Sequence, residues 1–380
     1  MTPFLTAIFL LGLSSGATAA NFSPVFEWNE LDFNWPSEAS RTTALKDGTF
    51  KPENIDPRFM AVHGSRIFLS LDDTYGGIPV TLGSLPTSGA SSAPPKLTPF
   101  PSWDMHGKEG DCDKLERTKG LEVDSVGRLW VLDSGGDDCY AKIWTIDLNN
   151  NDHTKIIHRF PVRRLMQDLV LDETPDGTFA YISQGIEQNV VVFSLERNQS
   201  WIVKTPEIEV FSIALSPKKD QEPRQLYLSK WYSKELYSIS VAALRNGAGT
   251  ENPRLIGKWT ADPYRMLLNN QGTMFTALLR QNYISSWNTS QPFAEQRFHE
   301  VAGLNSGLPF TFALDQSGTL WMTVFDNKKK PRYRLLKAAV SEQSLMASPD
   351  AANAAEYGVK GRKLIDSSVF FVFLLAVAIL

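Results

Sequence analysis

The 380-residue sequence is poor in sulfur and histidine, with two cysteines, Cys112 and Cys139, and five scattered histidines. That leaves too few soft ligands for a structural zinc or an iron–sulfur centre, and neither a metal nor a cofactor is expected. Short motifs of nucleotide and zinc-peptidase chemistry are also missing: no H-E-x-x-H, G-x-x-x-x-G-K-[ST] or G-x-G-x-x-G occurs, and Gly247 with Gly249 is only a bare GxG. Positive charge is not in excess. The formal net charge is −4, and the one basic run, Lys328-Lys329-Lys330, reads as a solvated loop, which argues against a nucleic-acid partner. Long apolar runs are absent from the interior and occur only at the two ends.

At the first end, apolar Phe4 to Leu13 leads into Ala17-Thr18-Ala19, the pattern of a secretory signal peptide over residues 1–20. Its apolar stretch of about ten residues falls well short of the roughly twenty needed to span a bilayer. At the other end, the small residues Asn353-Ala354-Ala355 precede a polar spacer and the apolar tail Val369 to Leu380. Together these form the pattern of a GPI-attachment signal, with Asn353 as the candidate attachment residue, 341–366 as a polar linker and 367–380 as the hydrophobic tail. Membrane contact is therefore expected only through a C-terminal lipid anchor. On the secretory route Cys112 and Cys139 read as a disulfide, closing a loop of about 28 residues and worth roughly 3 to 4 kcal/mol in the chain-entropy model. Asn21, Asn198 and Asn288 each begin an N-x-S sequon and are candidate glycosylation sites.

Between the ends, over residues 21–340, one unit recurs: a short apolar strand, a polar turn usually holding Gly, and a second strand rich in aromatics. The clearest copy runs from Gly120 to Gly135, and others begin at Phe59, Asp168, Phe211, Arg265 and Phe310. Their second strands start near Arg66, Arg128, Thr178, Gln225, Thr273 and Thr319, a spacing of about 46 to 50 residues after a first gap of about 62. The extra length falls in the Ser/Pro/Gly-rich stretch Pro86 to Pro95. Each period leaves room for two outer strands, as in Ala141 to Leu148 and Asn189 to Leu195. Six periods of four strands predict an all-β fold, a six-bladed β-propeller with four-stranded blades. Ring closure is expected from the strand around Val25 to Trp28, completing the last blade.

In such a hairpin the start of the first strand and the end of the second lie at the same end. One mouth of the central channel should then gather Arg58, Lys119, Asp168, Arg265, Phe310 and Thr311 from strand starts. Asp72, Asp133, Gln184, Lys230, Arg280, Phe325 and Asp326 should join them from strand ends, with Trp231 adjacent. The candidate ligand-binding set is Asp72, Asp133, Asp168, Gln184, Lys230, Trp231, Arg265, Arg280, Phe310 and Phe325. Its chemistry, acids for an ammonium, Arg or Lys for a phenolic oxygen and rings for stacking, suits a small aromatic amine or catechol. Asp133 and Asp168 are weak candidates for a catalytic base. The acidic cluster Asp133, Asp137 and Asp138 beside Gly135-Gly136 reads as a solvated loop.

Gly127-Arg128-Leu129-Trp130-Val131-Leu132-Asp133-Ser134-Gly135 resembles the most characteristic stretch of the yellow / major royal jelly protein family. Phe26-Glu27-Trp28-Asn29-Glu30-Leu31-Asp32-Phe33 with Arg41, Gly77 to Leu82, and Pro99 to Trp103 followed by Cys112 resemble other family segments, in order, over Phe26 to about Lys337. The resemblance implies a secreted propeller associated with cuticle or eggshell pigmentation and hardening and, in salivary members, with biogenic-amine binding in the channel. It also implies extracellular matrix or cuticle components as partners. Alternatives are a dopachrome-converting isomerase and a structural extracellular glycoprotein with no specific ligand. The chain departs from the family where Leu320-Trp321-Met322-Thr323-Val324-Phe325 replaces an LWxxSN pattern, so Phe325 stands where a polar residue is expected.

Overall fold

The computed structural model describes residues 19–340, apart from 21, 90–93, 108–109, 164–165, 220–221, 248, 301–303 and 305–306. The proposed leader up to residue 18, Asn21, the linker, Asn353 and the tail lie outside the described residues.

Six antiparallel sheets stand in a ring, each inner strand packing against the inner strands of its two neighbours. From channel to rim, blade 1 is Pro57–His63, Arg66–Leu71, Leu82–Pro86 and Thr98–Pro99, and blade 2 is Thr118–Val123, Arg128–Asp133, Lys142–Asp147 and His153–Arg159. Blade 3 is Leu169–Thr174, Gly177–Ser183, Asn189–Ser194 and Gln199–Lys204, with Gly249–Thr250 added at its edge. Blade 4 comprises Val210–Leu215, Gln225–Lys230, Glu235–Ser240 and Arg254–Lys258. Blade 5 is Pro263–Leu268, Thr273–Leu278, Ile284–Asn288 and Gln296–Glu300, and Ala19–Ala20, the last residues of the proposed leader, pair parallel to its outer strand. Blade 6 combines Leu308–Leu314, Thr319–Phe325 and Tyr333–Ala339 with the N-terminal strand Ser23–Trp28, where Trp28 lies opposite Tyr333. The expected closure is therefore observed, and the last blade is made from both ends of the domain.

The repeated turn has a chemical basis. In blade 2 the Asp124 carboxylate accepts hydrogen bonds from the backbone of Arg128 at 2.8 Å and from Trp130 Nε1 at 2.8 Å. Asp315 does the same in blade 6, accepting from Thr319 N at 2.9 Å and Trp321 Nε1 at 2.8 Å. The acid closes the turn and satisfies the one polar atom of the buried aromatic, so that the large ring can fill the space between blades. Gly127 and Gly318 supply the left-handed residue of these turns, at φ 84° and 78°. Because both faces of a blade are covered, second strands such as Arg128–Asp133 are buried at nearly every position. The apolar core is accordingly divided among the junctions between blades, as where Leu129, Val131 and Trp144 of blade 2 meet Phe59 and Phe68 of blade 1.

The Cys112–Cys139 disulfide is formed and ties the loop before the inner strand of blade 2 to the loop after its second strand. Asn198 and Asn288 are exposed at turns of blades 3 and 5. Among the described residues no helix is long and apolar enough to cross a membrane, and no three His, Cys, Asp or Glu side chains converge as a metal site.

Candidate functional site

The mouth formed by the strand starts is half charged and half aromatic. On the side of blades 1 and 2, Arg58 reaches Asp56 at 2.7 Å and Asp72 at 3.2 Å, and Lys119 reaches the other oxygen of Asp72 at 3.1 Å. The Thr74 hydroxyl also donates to Asp72, at 2.8 Å. Burial alone would raise the Asp72 carboxyl, but Lys119 and Arg58 outweigh it and hold the group below the usual carboxylate range. Asp56 differs. Burial, aided by the charge of Asp72, pushes its carboxyl up to about 7 despite Arg58, and its Oδ1 has no hydrogen-bond partner among the described residues.

On the side of blades 4 to 6 the rings form a continuous arc. Trp231 lies 4.0 Å from Phe211, Phe211 6.4 Å from Tyr264, Tyr264 6.0 Å from Phe310, and Phe310 6.2 Å from Phe325, all between ring centroids. Tyr333 continues the arc at 5.2 Å from Phe325, and exposed Tyr232 extends it at 4.9 Å from Trp231. The two halves meet at Arg58, whose guanidinium lies 5.3 Å from the Phe310 ring centre and donates to the Tyr264 hydroxyl at 3.2 Å.

Below the mouth, Asp168 and Arg265 close the channel. Asp168 Oδ1 takes hydrogen bonds from Arg265 at 2.5 Å and Leu169 N at 3.0 Å, and Oδ2 takes them from the Ser212 hydroxyl and Ile213 N, each at 3.1 Å. With four donors and 1% exposure, this carboxylate is bound into the structure of blades 3 to 5 rather than offered to a substrate. The space between Arg58, Tyr264 and this pair is only about 10 Å³, so a molecule at the mouth would lie on the arc, above the gap.

Asp72, Asp168, Trp231, Arg265, Phe310 and Phe325 are thus gathered at or just inside one mouth. Four other candidates are placed elsewhere. Asp133 is fully buried within blade 2, accepting from the backbone of Glu116, Arg117 and Gly135 and lying 3.5 Å from Lys142 Nζ, so it faces neither channel nor solvent. Lys230 turns outward to the carbonyl of Glu207 at 3.0 Å, Gln184 is buried behind the end of its strand, and Arg280 is exposed at φ 62°. Sequence reasoning missed Asp56, two residues before Arg58, Tyr264, one residue before Arg265, and Phe211, which lies at the start of the inner strand of blade 4 without being counted in the ring.

Fold and channel define a six-bladed propeller with an aromatic and charged mouth. The family model described as Major royal jelly protein matches residues 118–210 and 207–333, more than half of the sequence, and the chain belongs to that family. Protein yellow of Drosophila guanche is 25% identical over 346 residues, covering 78% of this chain, which spans only 60% of that protein's length. A dopaminechrome tautomerase of Drosophila melanogaster is 26% identical over 331 residues, covering 74% of this chain and 71% of its own. Among solved structures, the PQQ-bound aldose sugar dehydrogenase of Streptomyces coelicolor superposes with a TM-score of 0.52 over 85% of this chain and 99% of that one; at 12% identity this likeness concerns the fold alone.

Proposed function

We propose that the protein is a secreted, yellow-type propeller that holds a small aromatic amine or catechol at the strand-start mouth and acts in pigmentation or hardening of an extracellular matrix such as cuticle or eggshell. The observation that carries this reading is the ring arc from Trp231 to Phe325 facing the Asp56–Arg58–Asp72–Lys119 cluster. A flat ring stacks on the arc while its ammonium or hydroxyl groups meet the charges opposite. Phe325 contributes a ring, so selection of the ligand falls to stacking and to the blade 1 acids. N-glycans on Asn198 and Asn288 and a lipid anchor at Asn353 belong to the same proposal. Calorimetric titration with dopamine, serotonin and dopachrome tests it, saturable heat being expected and its absence at high micromolar ligand counting against it.

A second reading, tautomerisation of an aminochrome, is favoured by Asp56 and by the similarity to the dopaminechrome tautomerase. A carboxyl poised at about 7 with one unengaged oxygen suits a proton relay near neutral pH. On this reading the purified protein speeds loss of dopaminechrome colour and Asp56→Asn abolishes the acceleration. No acceleration by the unmodified protein would dispose of it.

A further inference from the structure

Beyond the Asp168–Arg265 pair the channel widens again. At the hairpin-turn end lies a cavity of about 420 Å³, walled by the inner strands of blades 1, 2, 5 and 6 and rimmed by the turns Asn269 to Gln271 and Asp315 to Gly318. Arg265 lines both this chamber and the small gap at the mouth, and is the wall the two compartments share.

Glu122, on the inner strand of blade 2, lines the chamber and differs from the other acids of the channel. Asp72, Asp168 and Asp315 each accept several hydrogen bonds, whereas Glu122 has no hydrogen-bond or ion-pair partner among the described residues. The charges that act on it are Arg265 of blade 5 and Asp168 of blade 3. Arg265 is committed elsewhere, its guanidinium bonded to Asp168 and lying 4.5 Å from the Phe59 ring centre. Burial pushes the Glu122 carboxyl up to about 7. Glu122 is only partly buried and its carboxyl is open to the chamber, so a cation that enters can pair with it.

The lining also selects the class of cation. Its charged members are Glu122, Asp315 and the already paired Arg265, so the field is negative and disfavours anions. Val123, Leu267, Leu268 and Leu314, each partly exposed, give the walls a hydrocarbon surface, unlike the all-oxygen shell that a hard metal ion requires.

We propose that this chamber is a second ligand site, entered from the turn face of the propeller, which binds a small organic ammonium ion with its charged head on Glu122 and its hydrocarbon body against the inner strands. The site is independent of the aromatic mouth. Calorimetric titration of the whole protein at pH 8 with n-hexylammonium and, in parallel, 1-hexanol tests it. The ammonium is expected to bind, Glu122→Gln to weaken it by about tenfold or more, and the alcohol to bind much less tightly. Equal affinity of the variant for the ammonium, or equal affinity of the native protein for both probes, overturns the proposal. A position-sensitive check needs no variant: crystals soaked in 3-bromopropylammonium are expected to show the anomalous bromine peak within the chamber, and a peak elsewhere or none contradicts the assignment. Loss of dopamine binding on changing Phe310 would bear on the mouth alone, so the two sites fail separately.

Discussion

At the strand-start mouth, Asp72 is shared among Lys119, Arg58 and Thr74; in the turn-side chamber, Glu122 stands without a partner. Asp72 follows the second strand of blade 1 and Glu122 lies on the inner strand of blade 2, and their environments push them in opposite directions, Asp72 below its usual range and Glu122 up to about 7. This propeller divides its channel into a paired mouth and an unpaired chamber. Charges that are reciprocally paired fix the shape of the mouth, whereas the unpaired acid stays open to the chamber for a cation to meet.

The partition between mouth and chamber is the most sensitive point. Asp168→Ala leaves the buried Arg265 guanidinium uncompensated and is expected to lower unfolding free energy by about 3 to 5 kcal/mol, read from denaturant melts. A loss below about 1 kcal/mol would mean that the pair does not hold the two compartments apart.

Glu122→Gln should act in the other direction, with a pH dependence that identifies the group. Between the ordinary glutamate value of 4.5 and about 7 the native protein binds more protons than the unfolded chain. Stability therefore falls as pH rises through that window and stays at the lower level above it. The variant is expected to be more stable than the native protein at pH 8 by about 1 to 3 kcal/mol, with the gain gone at pH 4. Paired thermal melts at the two pH values check this, and an equal effect at both would show that charge is not the cause.

Smaller effects sharpen the aromatic side. Phe310→Ala removes the ring that links Tyr264 to Phe325 and also supports Arg58, so dopamine affinity is expected to fall by about tenfold while the fold is kept. The smallest change should come from Arg280→Gly. Arg280 is exposed at φ 62°, and glycine there is expected to gain up to about 1 kcal/mol in denaturant melts without altering ligand affinity.

The repeat itself was open to reading because its parts carry chemical labels: an acid that closes the turn, a left-handed glycine, and an aromatic second strand. The starts of the second strands at Arg66, Arg128, Gln225, Thr273 and Thr319 coincide with the expected positions, and in blade 3 the strand begins one residue earlier, at Gly177. The channel mouth was less legible. The inner strands of blades 1, 2, 4, 5 and 6 carry a register shift near their starts, as between Pro57 and Phe59 and between Pro263 and Arg265. A bulge re-aims the side chains around it, so strict alternation misplaces them by one residue. For this reason Tyr264 joins Arg265 in the channel, whereas Asp56, two residues before Arg58 and just ahead of the strand, joins it through their ion pair. Asp133 was misplaced for a different reason: its strand ends under a loop whose backbone donors capture the carboxylate, a tertiary event that periodicity does not record.

The most direct measurement for the aromatic mouth is a calorimetric titration of dopamine into the native protein, Phe310→Ala and Arg280→Ala. Saturable binding by the native protein and by Arg280→Ala, with about a tenfold loss for Phe310→Ala, is the predicted result. No saturable heat with the native protein, or equal affinity in all three, would contradict the assignment of the arc as a ligand site.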